Sequence, residues 1–321
     1  MKKKILLMEP FHEVGYRVFG DQFDVQIASD TSVETMVKEI KGAHGVLVRV
    51  YPLTREMIEA ADCLQVVAKH GVGVDNIDVE ACTKKGILVV NTGDANSLSV
   101  AEHALAAIGA LAKRVMAMDN GIRNNNWNIR LEYKAIDLNT KTLGLVGFGQ
   151  IGKLLAQKAR AAYNMNVIVY DPYVNTEQAQ ALGATLYDSL ERLFAESDVI
   201  SLHAPHTPQT RNMIGEKLLS LMKPSAYFIN FARGEIVDEK ALYNILKAKK
   251  IAGAAVDVYQ QEPTPPVHPF FELDNILLSP HSAVATQECI VRTATAASQG
   301  IVDVLQGRKP KFISNPQAWK E

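Results

Sequence analysis

Three glycines, Gly147, Gly149 and Gly152, stand near the middle of this 321-residue chain, between an apolar segment, Leu143 to Val146, and a helical pattern from Ile151 to Ala162. A glycine-rich turn from strand to helix constrains the fold, because backbone N–H groups at the positive end of a helix reach a diphosphate only where no side chain intervenes. Gly147 is expected to make the turn, Gly149 to permit the approach and Gly152 to let the helix pack on the strand. Alone the motif is weak, since a chain with 20 glycines produces accidental matches. Its context strengthens it. A second apolar strand, Val167 to Tyr170, ends in Asp171, about 20 residues past the last glycine, where a carboxylate accepts from ribose hydroxyls and repels a 2′-phosphate. This spacing predicts NAD in preference to NADP; the alternative for Asp171 is a turn cap before Pro172.

A chain of this length exceeds what one core usually organises, so two domains are expected. With 34 basic and 35 acidic residues the formal charge is −1, which offers no broad attraction for nucleic acid or anionic lipid. The 47% hydrophobic content supports full globular cores, yet no apolar stretch approaches the roughly 18 residues of a membrane span. Cys63, Cys82 and Cys289 are too widely spaced for a zinc knuckle or a disulfide framework and are expected to be reduced, mostly buried thiols. No metal is expected, and a cytoplasmic setting is. The apolar run after Lys2, Lys3 and Lys4 is too brief for a signal sequence and is read as a buried first strand.

Before the glycine turn, Ile5 to Met8, Val25 to Ile27, Gly45 to Val48, Val66 to Ala68 and Leu88 to Val90 read as five parallel strands, with helices at Val33 to Ile40, Thr54 to Ala61 and Val79 to Lys85. Ser99 and Glu102 form a capping-box pattern ahead of a long helix, Ala101 to Met118. From Leu143 the alternation resumes through Val167 to Tyr170, Val199 to Leu202, Ala226 to Ile229, Ala252 to Val256 and Ile276 to Leu278, a doubly wound pattern. The last helix, Gln287 to Leu305, is expected to return to the first domain. The expected class is therefore α/β, with two Rossmann-like or flavodoxin-like parallel-sheet domains and a cleft between them. Residues 1–98 and 288–321 form one domain and 99–287, inserted, the other; hinge motion would open and close the cleft.

In open parallel sheets ligands bind beyond the carboxyl ends of the strands. Three candidates fall there: Arg233 after Ala226 to Ile229, Glu262 after Ala252 to Val256, and His281 after Ile276 to Leu278. Their types suit reduction of a 2-oxo acid. A guanidinium fork binds a carboxylate, an imidazole protonates the nascent alkoxide, and a carboxylate keeps that imidazole charged. Taken singly, each has an ordinary alternative in a surface ion pair or a plain loop. His203 and His206, flanking the cofactor groove, fit structural or cofactor-contact roles better than catalytic ones.

The segments His70 to Asp78, Asn96 to Glu102, Gly147 to Gly152, Asn230 to Gly234 and Ser279 to His281 closely resemble, in order and almost end to end, the motifs of the D-2-hydroxyacid dehydrogenases. The resemblance implies that Arg233 binds the substrate carboxylate and carbonyl, that His281 exchanges the proton and that Glu262 supports His281. It further implies that Gln150 and Ile151 offer N–H groups to the diphosphate and that Asp171 holds the adenosine ribose. Ala204, Pro205, Phe231 and Ala232 would line the cofactor groove, and Asp257 would approach the nicotinamide carboxamide. The loop His70, Gly71, Val72, Gly73 would present N–H groups to the substrate carboxylate from the other lobe, completing a two-sided clamp. Relatives that oxidise formate carry Gln in place of Glu262, so the Glu favours hydroxy-acid chemistry.

Within that family the chain looks most like phosphoglycerate dehydrogenases and their neighbours, including hydroxypyruvate and glyoxylate reductases. Arg49 and Lys69 sit where phosphoglycerate-specific relatives face the substrate phosphate; both equally fit solvated surface charges. Because the chain ends soon after the return helix, the regulatory domain of longer phosphoglycerate dehydrogenases is not expected, nor is serine feedback through it. The resemblance implies a homodimer, with the long helix and the Arg123 to Tyr133 stretch in the contact and Trp127 as either interface anchor or core. The expected activity is reversible hydride transfer between NAD and C2 of a small (R)-2-hydroxy acid, 3-phosphoglycerate among the candidates. The alternative is an NAD-sensing scaffold of the same fold, similar to the corepressors.

Overall fold

The computed structural model describes residues 2–132 and 134–319; these fall into two units, one within residues 1–96 and 284–321 and one within residues 97–283. Tyr133, at the end of the expected contact stretch, lies outside the described residues. The expected boundaries, after residues 98 and 287, fall later than these. The helix expected to begin near Ser99 starts at Ser97, and the N–H groups of Ser282 and Ala283 are held by Asp257, keeping that stretch with the second unit.

The first unit is a five-stranded parallel sheet, β1 (Lys3–Leu7), β2 (Phe23–Ile27), β3 (Ala43–Val48), β4 (Val66–Lys69) and β5 (Leu88–Val90), in the order β2-β1-β3-β4-β5. Strands of a parallel sheet covered on both faces read as continuous apolar runs, and Ile5, Leu6 and Leu7 of β1 are accordingly buried. Helix Gln287–Leu305 packs Ala297, Ile301 and Leu305 into one face with Leu47 and Val66. Helix Glu13–Phe19 was not foreseen: its cap is His12, an unusual N-cap, and Gly15 weakens the helical pattern. That glycine lets the helix pack closely, since a Cβ there would overlap Phe11 and come within 2.8 Å of Ser298 Oγ.

The second unit is a seven-stranded parallel sheet of β6 (Thr142–Val146), β7 (Asn166–Tyr170), β8 (Ala184–Leu186), β9 (Val199–Leu202), β10 (Tyr227–Asn230), β11 (Gly253–Val256) and β12 (Ile276–Leu278). Its order, β12-β11-β10-β9-β6-β7-β8, is doubly wound and reverses between β6 and β9. β8, three residues at the sheet edge of which only Ala184 is buried, carries too little pattern to be read from sequence.

Two local expectations are corrected. Ser99 lies buried inside helix Ser97–Ala112 and is not its cap, while Glu102 is bound by Lys158 at 2.8 Å. The long helix breaks at Arg114, whose φ of 53° is left-handed, and a second helix runs Val115–Arg123. Its guanidinium stacks 6.0 Å over the Tyr227 ring and the Ile136 N–H takes the Ala112 carbonyl, so tertiary contacts satisfy a helix end that periodicity would have continued. Cys82 and Cys289 are buried as expected, whereas Cys63 is exposed. Among the described residues no helix is long and apolar enough to cross a membrane.

Asn315, fully buried, fastens the C-terminal segment to the first sheet: Oδ1 accepts from the Val89 N–H at 2.7 Å, and Nδ2 donates to Ile87 O at 3.0 Å and Thr83 Oγ1 at 2.9 Å. Asn315→Ala strands the Val89 donor and should destabilise this unit by about 1–3 kcal/mol. Urea unfolding followed by fluorescence reads it, since Trp319 packs in this core and Trp127 is exposed. An unchanged midpoint would remove Asn315 from the stability of the unit.

Candidate functional site

The carboxyl ends of the second sheet are level across six strands. Tyr170 pairs with Val146, Val146 with Leu202, Leu202 with Asn230, Asn230 with Val256 and Val256 with Leu278. The loops leaving this row carry Asp171, Gly147, Ala204, Arg233, Glu262 and His281, so pairing alone brings them to one edge.

At the reversal point the glycine turn is tight. Gly147 has a φ of 96°, and a Cβ there would lie 2.7 Å from Ala204 N and His203 C. At Gly152 a Cβ would meet Gly147 O at 2.5 Å. Gly149 differs: nothing lies within 4 Å of its Cβ position and its φ of −71° suits any residue. The fold needs glycine at 147 and 152 but not at 149. No side chain caps the helix Gln150–Tyr163 that follows, so no capping side chain takes its first N–H groups, those of Gln150 and Ile151 among them, and the Cβ position of Gly149 beside them is open. An open cradle at a helix start fits a diphosphate. Asp171 Oδ2 accepts from the Phe148 N–H at 2.7 Å and Oδ1 from the Tyr173 N–H at 2.9 Å, tying the end of β7 to the glycine turn. Pro205 follows Ala204 after β9. After β10, Phe231 is buried with its ring 4.9 Å from His103, and the Ala232 N–H donates to Asn230 Oδ1 at 3.1 Å.

On the neighbouring loops the charged candidates gather. His281 Nδ1 and Glu262 Oε2 are 2.7 Å apart, and Glu262 Oε1 accepts from the Tyr259 N–H at 2.9 Å. Burial pushes the pKa of Glu262 up, but hydrogen bonds from His281 and the Tyr259 N–H, with the charges of His281 and Arg233, outweigh it and hold the carboxyl below its usual value. Arg233 is half-buried; Nη1 donates to Ala232 O at 2.7 Å, and its own carbonyl accepts from Asn230 Nδ2 at 2.9 Å. His281 adopts a φ of 51°, uncommon for a residue with a Cβ, and its N–H donates to Asp257 O at 2.7 Å.

Asp257, expected beside a carboxamide, is buried and uses both oxygens on the His281 loop. Oδ1 accepts from Ser279 Oγ at 2.6 Å and the Ser282 N–H at 2.8 Å, and Oδ2 from the Ala283 N–H at 2.9 Å. Sequence reasoning missed this, and missed Tyr259, Asn230 and Gly234, whose tasks depend on backbone groups distant in sequence. The polar Asn closing an otherwise apolar strand was the available signal for Asn230. His203 is half-buried, its imidazole pushed down to about 4 by desolvation, with Nε2 2.9 Å from Ser201 Oγ, which suits a structural role. No group of three or more His, Cys, Asp or Glu among the described residues could hold a metal ion.

In the first unit, Arg49 and Lys69 lie at the carboxyl ends of β3 and β4. Lys69 Nζ donates to Arg49 O at 2.5 Å and Asn76 Oδ1 at 2.7 Å, so its ammonium is engaged in holding the adjoining loops. Arg49 Nη1 donates to Pro10 O. The loop from His70 to Gly73 starts from a His70 N–H bound to Val48 O at 2.8 Å and turns at Gly71, whose φ is 152°. Burial, with the Arg49 charge, pushes the His70 imidazole down to about 4, so it is neutral near pH 7.

A doubly wound sheet with a glycine cradle at its reversal point defines a dinucleotide-binding α/β domain. Residues 105–283 match the family of the D-isomer specific 2-hydroxyacid dehydrogenase NAD-binding domain. The chain is 40% identical to the D-3-phosphoglycerate dehydrogenase of Methanocaldococcus jannaschii over 97% of its own length and 59% of that protein's. It is 35% identical to the glyoxylate reductase of Korarchaeum cryptofilum, covering 100% of this chain and 98% of that one. Among solved structures, the holo form of Rhodotorula graminis D-mandelate dehydrogenase aligns with a TM-score of 0.90 at 25% identity, covering 98% of each chain. The chain belongs to the D-isomer specific 2-hydroxyacid dehydrogenases, with their NAD-binding domain. It spans somewhat over half the length of the phosphoglycerate dehydrogenases it matches.

The glycine geometry separates folding from binding. Gly149→Ala should leave the thermal midpoint unchanged while weakening NADH binding, read by fluorescence titration, about tenfold or more. Gly147→Ala should destabilise the domain by more than about 1 kcal/mol. Undiminished NADH affinity in Gly149→Ala would move the diphosphate away from this turn.

Proposed function

We propose that this protein uses NAD to interconvert a small (R)-2-hydroxy acid and the corresponding 2-oxo acid. The observation that carries the reading is the 2.7 Å pairing of His281 Nδ1 with Glu262 Oε2, with Arg233 on the neighbouring loop. With Nδ1 turned to Glu262, Nε2 is the ring nitrogen left for substrate. It donates a proton to the carbonyl oxygen in reduction and accepts the hydroxyl proton in oxidation. An ionised Glu262 favours the imidazolium, and Arg233 offers planar donors to the substrate carboxylate and carbonyl oxygen. NAD, when bound, supplies the two-electron chemistry.

The N–H groups of the His70 to Gly73 loop are proposed as a further carboxylate-binding element, and Arg49 as the partner of a substrate phosphate. Relatives named D-3-phosphoglycerate dehydrogenase and glyoxylate reductase support small, polar 2-oxo acids as the substrate class. The reading includes a cytoplasmic setting, consistent with three free cysteines.

Steady-state oxidation of NADH with 3-phosphohydroxypyruvate, hydroxypyruvate, glyoxylate, pyruvate and branched 2-oxo acids tests the reading. At least one should turn over, and His281→Gln should lower kcat by roughly a hundredfold or more with NADH binding retained. Full turnover by His281→Gln would remove His281 from the chemistry. A protein that binds NADH and reduces none of these acids would instead be a binding module.

The reading also includes a homodimer through the second unit. Val115, Met116, Ile122, Trp127 and Leu131 are each at least half exposed, a concentration of large apolar side chains that favours a partner surface. Trp127 is therefore not core. Leu131→Glu should convert a dimer to a monomer in analytical ultracentrifugation, and a monomeric wild type would refute the assembly.

A further inference from the structure

We propose that Glu239, backed by His268, is a positioning residue for the Glu262–His281 couple, acting through the Tyr259 to Glu262 turn; the inference rests on the reading of His281 as proton donor. Glu262 stands beyond the end of β11 on a stretch with no helix or strand, so no regular element aims it. Its approach to His281 depends on how the backbone from Tyr259 to Glu262 is held.

Two carboxylates hold consecutive N–H groups of that backbone. Glu262 takes the Tyr259 N–H, closing the turn on itself, and Glu239 Oε1, from the start of helix Glu239–Lys247, accepts from the Gln260 N–H at 2.7 Å. The Gln260 side chain adds bonds from Nε2 to Val237 O at 2.7 Å and to Asn212 Oδ1 at 3.3 Å. On another side the turn lies against Gly234, where a Cβ would overlap the backbone of Tyr259 and Gln260. The turn and the Arg233 loop thus share one contact, which Gly234 alone permits.

The second oxygen of Glu239 lies 3.5 Å from His268 Nε2, and both side chains are largely covered. His268 Nδ1 accepts from the Phe270 N–H at 3.3 Å, so the ring proton sits on Nε2 and faces Glu239. The imidazole is wedged edge-on against Tyr259 and Phe270, 5.6 Å and 4.9 Å between ring centroids. Tyr259 completes the circuit by donating its hydroxyl to Ser279 O at 3.0 Å, in the loop that carries His281. Burial, reinforced by the charges of Asp257, Glu262 and Glu239, pushes that phenol up to about 12, so it remains a donor near pH 7. A second His–Glu couple therefore stands behind the first, and the turn between them transmits its position.

The readout is kcat/KM for 2-oxo acid reduction against pH, with NADH affinity and thermal midpoint measured alongside. Glu262 Oε2 lies 2.7 Å from His281 Nδ1, the Arg233 charge acts on Glu262, and Asp257 and Tyr259 hold the His281 loop through Ser282 and Ser279. Glu239→Ala should lower kcat/KM by roughly ten- to a hundredfold. It should also move the alkaline fall of the reduction to lower pH, because a displaced Glu262 no longer favours the imidazolium, while NADH still binds. Glu239→Gln keeps an acceptor for the Gln260 N–H and should keep the wild-type profile. Gln260→Ala, at an exposed side chain, should shift the profile in the same direction by less, and it carries the test if Glu239→Ala does not fold. An unshifted profile in the folded variant, or Glu239→Gln behaving as Glu239→Ala, overturns the proposal. A wild type inactive on every acid sinks the oxidoreductase reading and this inference with it; an active wild type with unshifted variants sinks this inference alone.

Discussion

Strands β9, β10, β11 and β12 run parallel and end level with one another, Leu202 beside Asn230, Asn230 beside Val256 and Val256 beside Leu278. The charged groups Arg233, Glu262 and His281 are launched from that row. Parallel pairing places each carboxyl end at the same edge, so residues nearly fifty positions apart, such as Arg233 after β10 and His281 after β12, leave strands on either side of β11 with no long loop to bridge them. A slip of one residue in this register would turn Asn230 and Val256 to opposite faces and lose the common edge. The buried apolar side chains of these strands therefore set the geometry of the charged groups beyond them.

Precision beyond the row comes from polar contacts between loops. Asp257 is buried with both oxygens committed to the loop of His281, and Asn230 holds both the N–H of Ala232 and the carbonyl of Arg233. Such groups cost free energy to bury unless satisfied, and here each is satisfied by backbone it must hold in place. The left-handed backbone at His281 is held in this way, by a hydrogen bond from its own N–H to Asp257 O. The glycine turn follows a different rule. Gly147 and Gly152 answer to close protein packing, whereas at Gly149 no neighbouring atom requires the absence of a side chain.

The sequence carried a large part of this. Short apolar runs marked eleven of the strands, most clearly the central ones whose two faces are covered, and their ends identified Arg233, Glu262 and His281 as candidates. It failed where a short element had little pattern, as at β8, or where distant contacts overrode periodicity, as at Arg114, which leaves the helix to stack on Tyr227. Ser99 and Glu102 matched a cap that the helix does not use, because the helix had already begun at Ser97.

The amino-acid sequence by itself determined the alternation of strands and helices, the glycine turn, the acidic residue after β7 and the types of the three charged candidates. These are local properties: side-chain period, backbone freedom and the chemistry of single residues. Only the tertiary structure decided that Glu262 meets His281, that Asp257 holds the His281 loop and that Glu239 takes the Gln260 N–H. Those contacts join segments whose separation in the chain bears no relation to their separation in space, and hydrogen bonds form between neighbours in space.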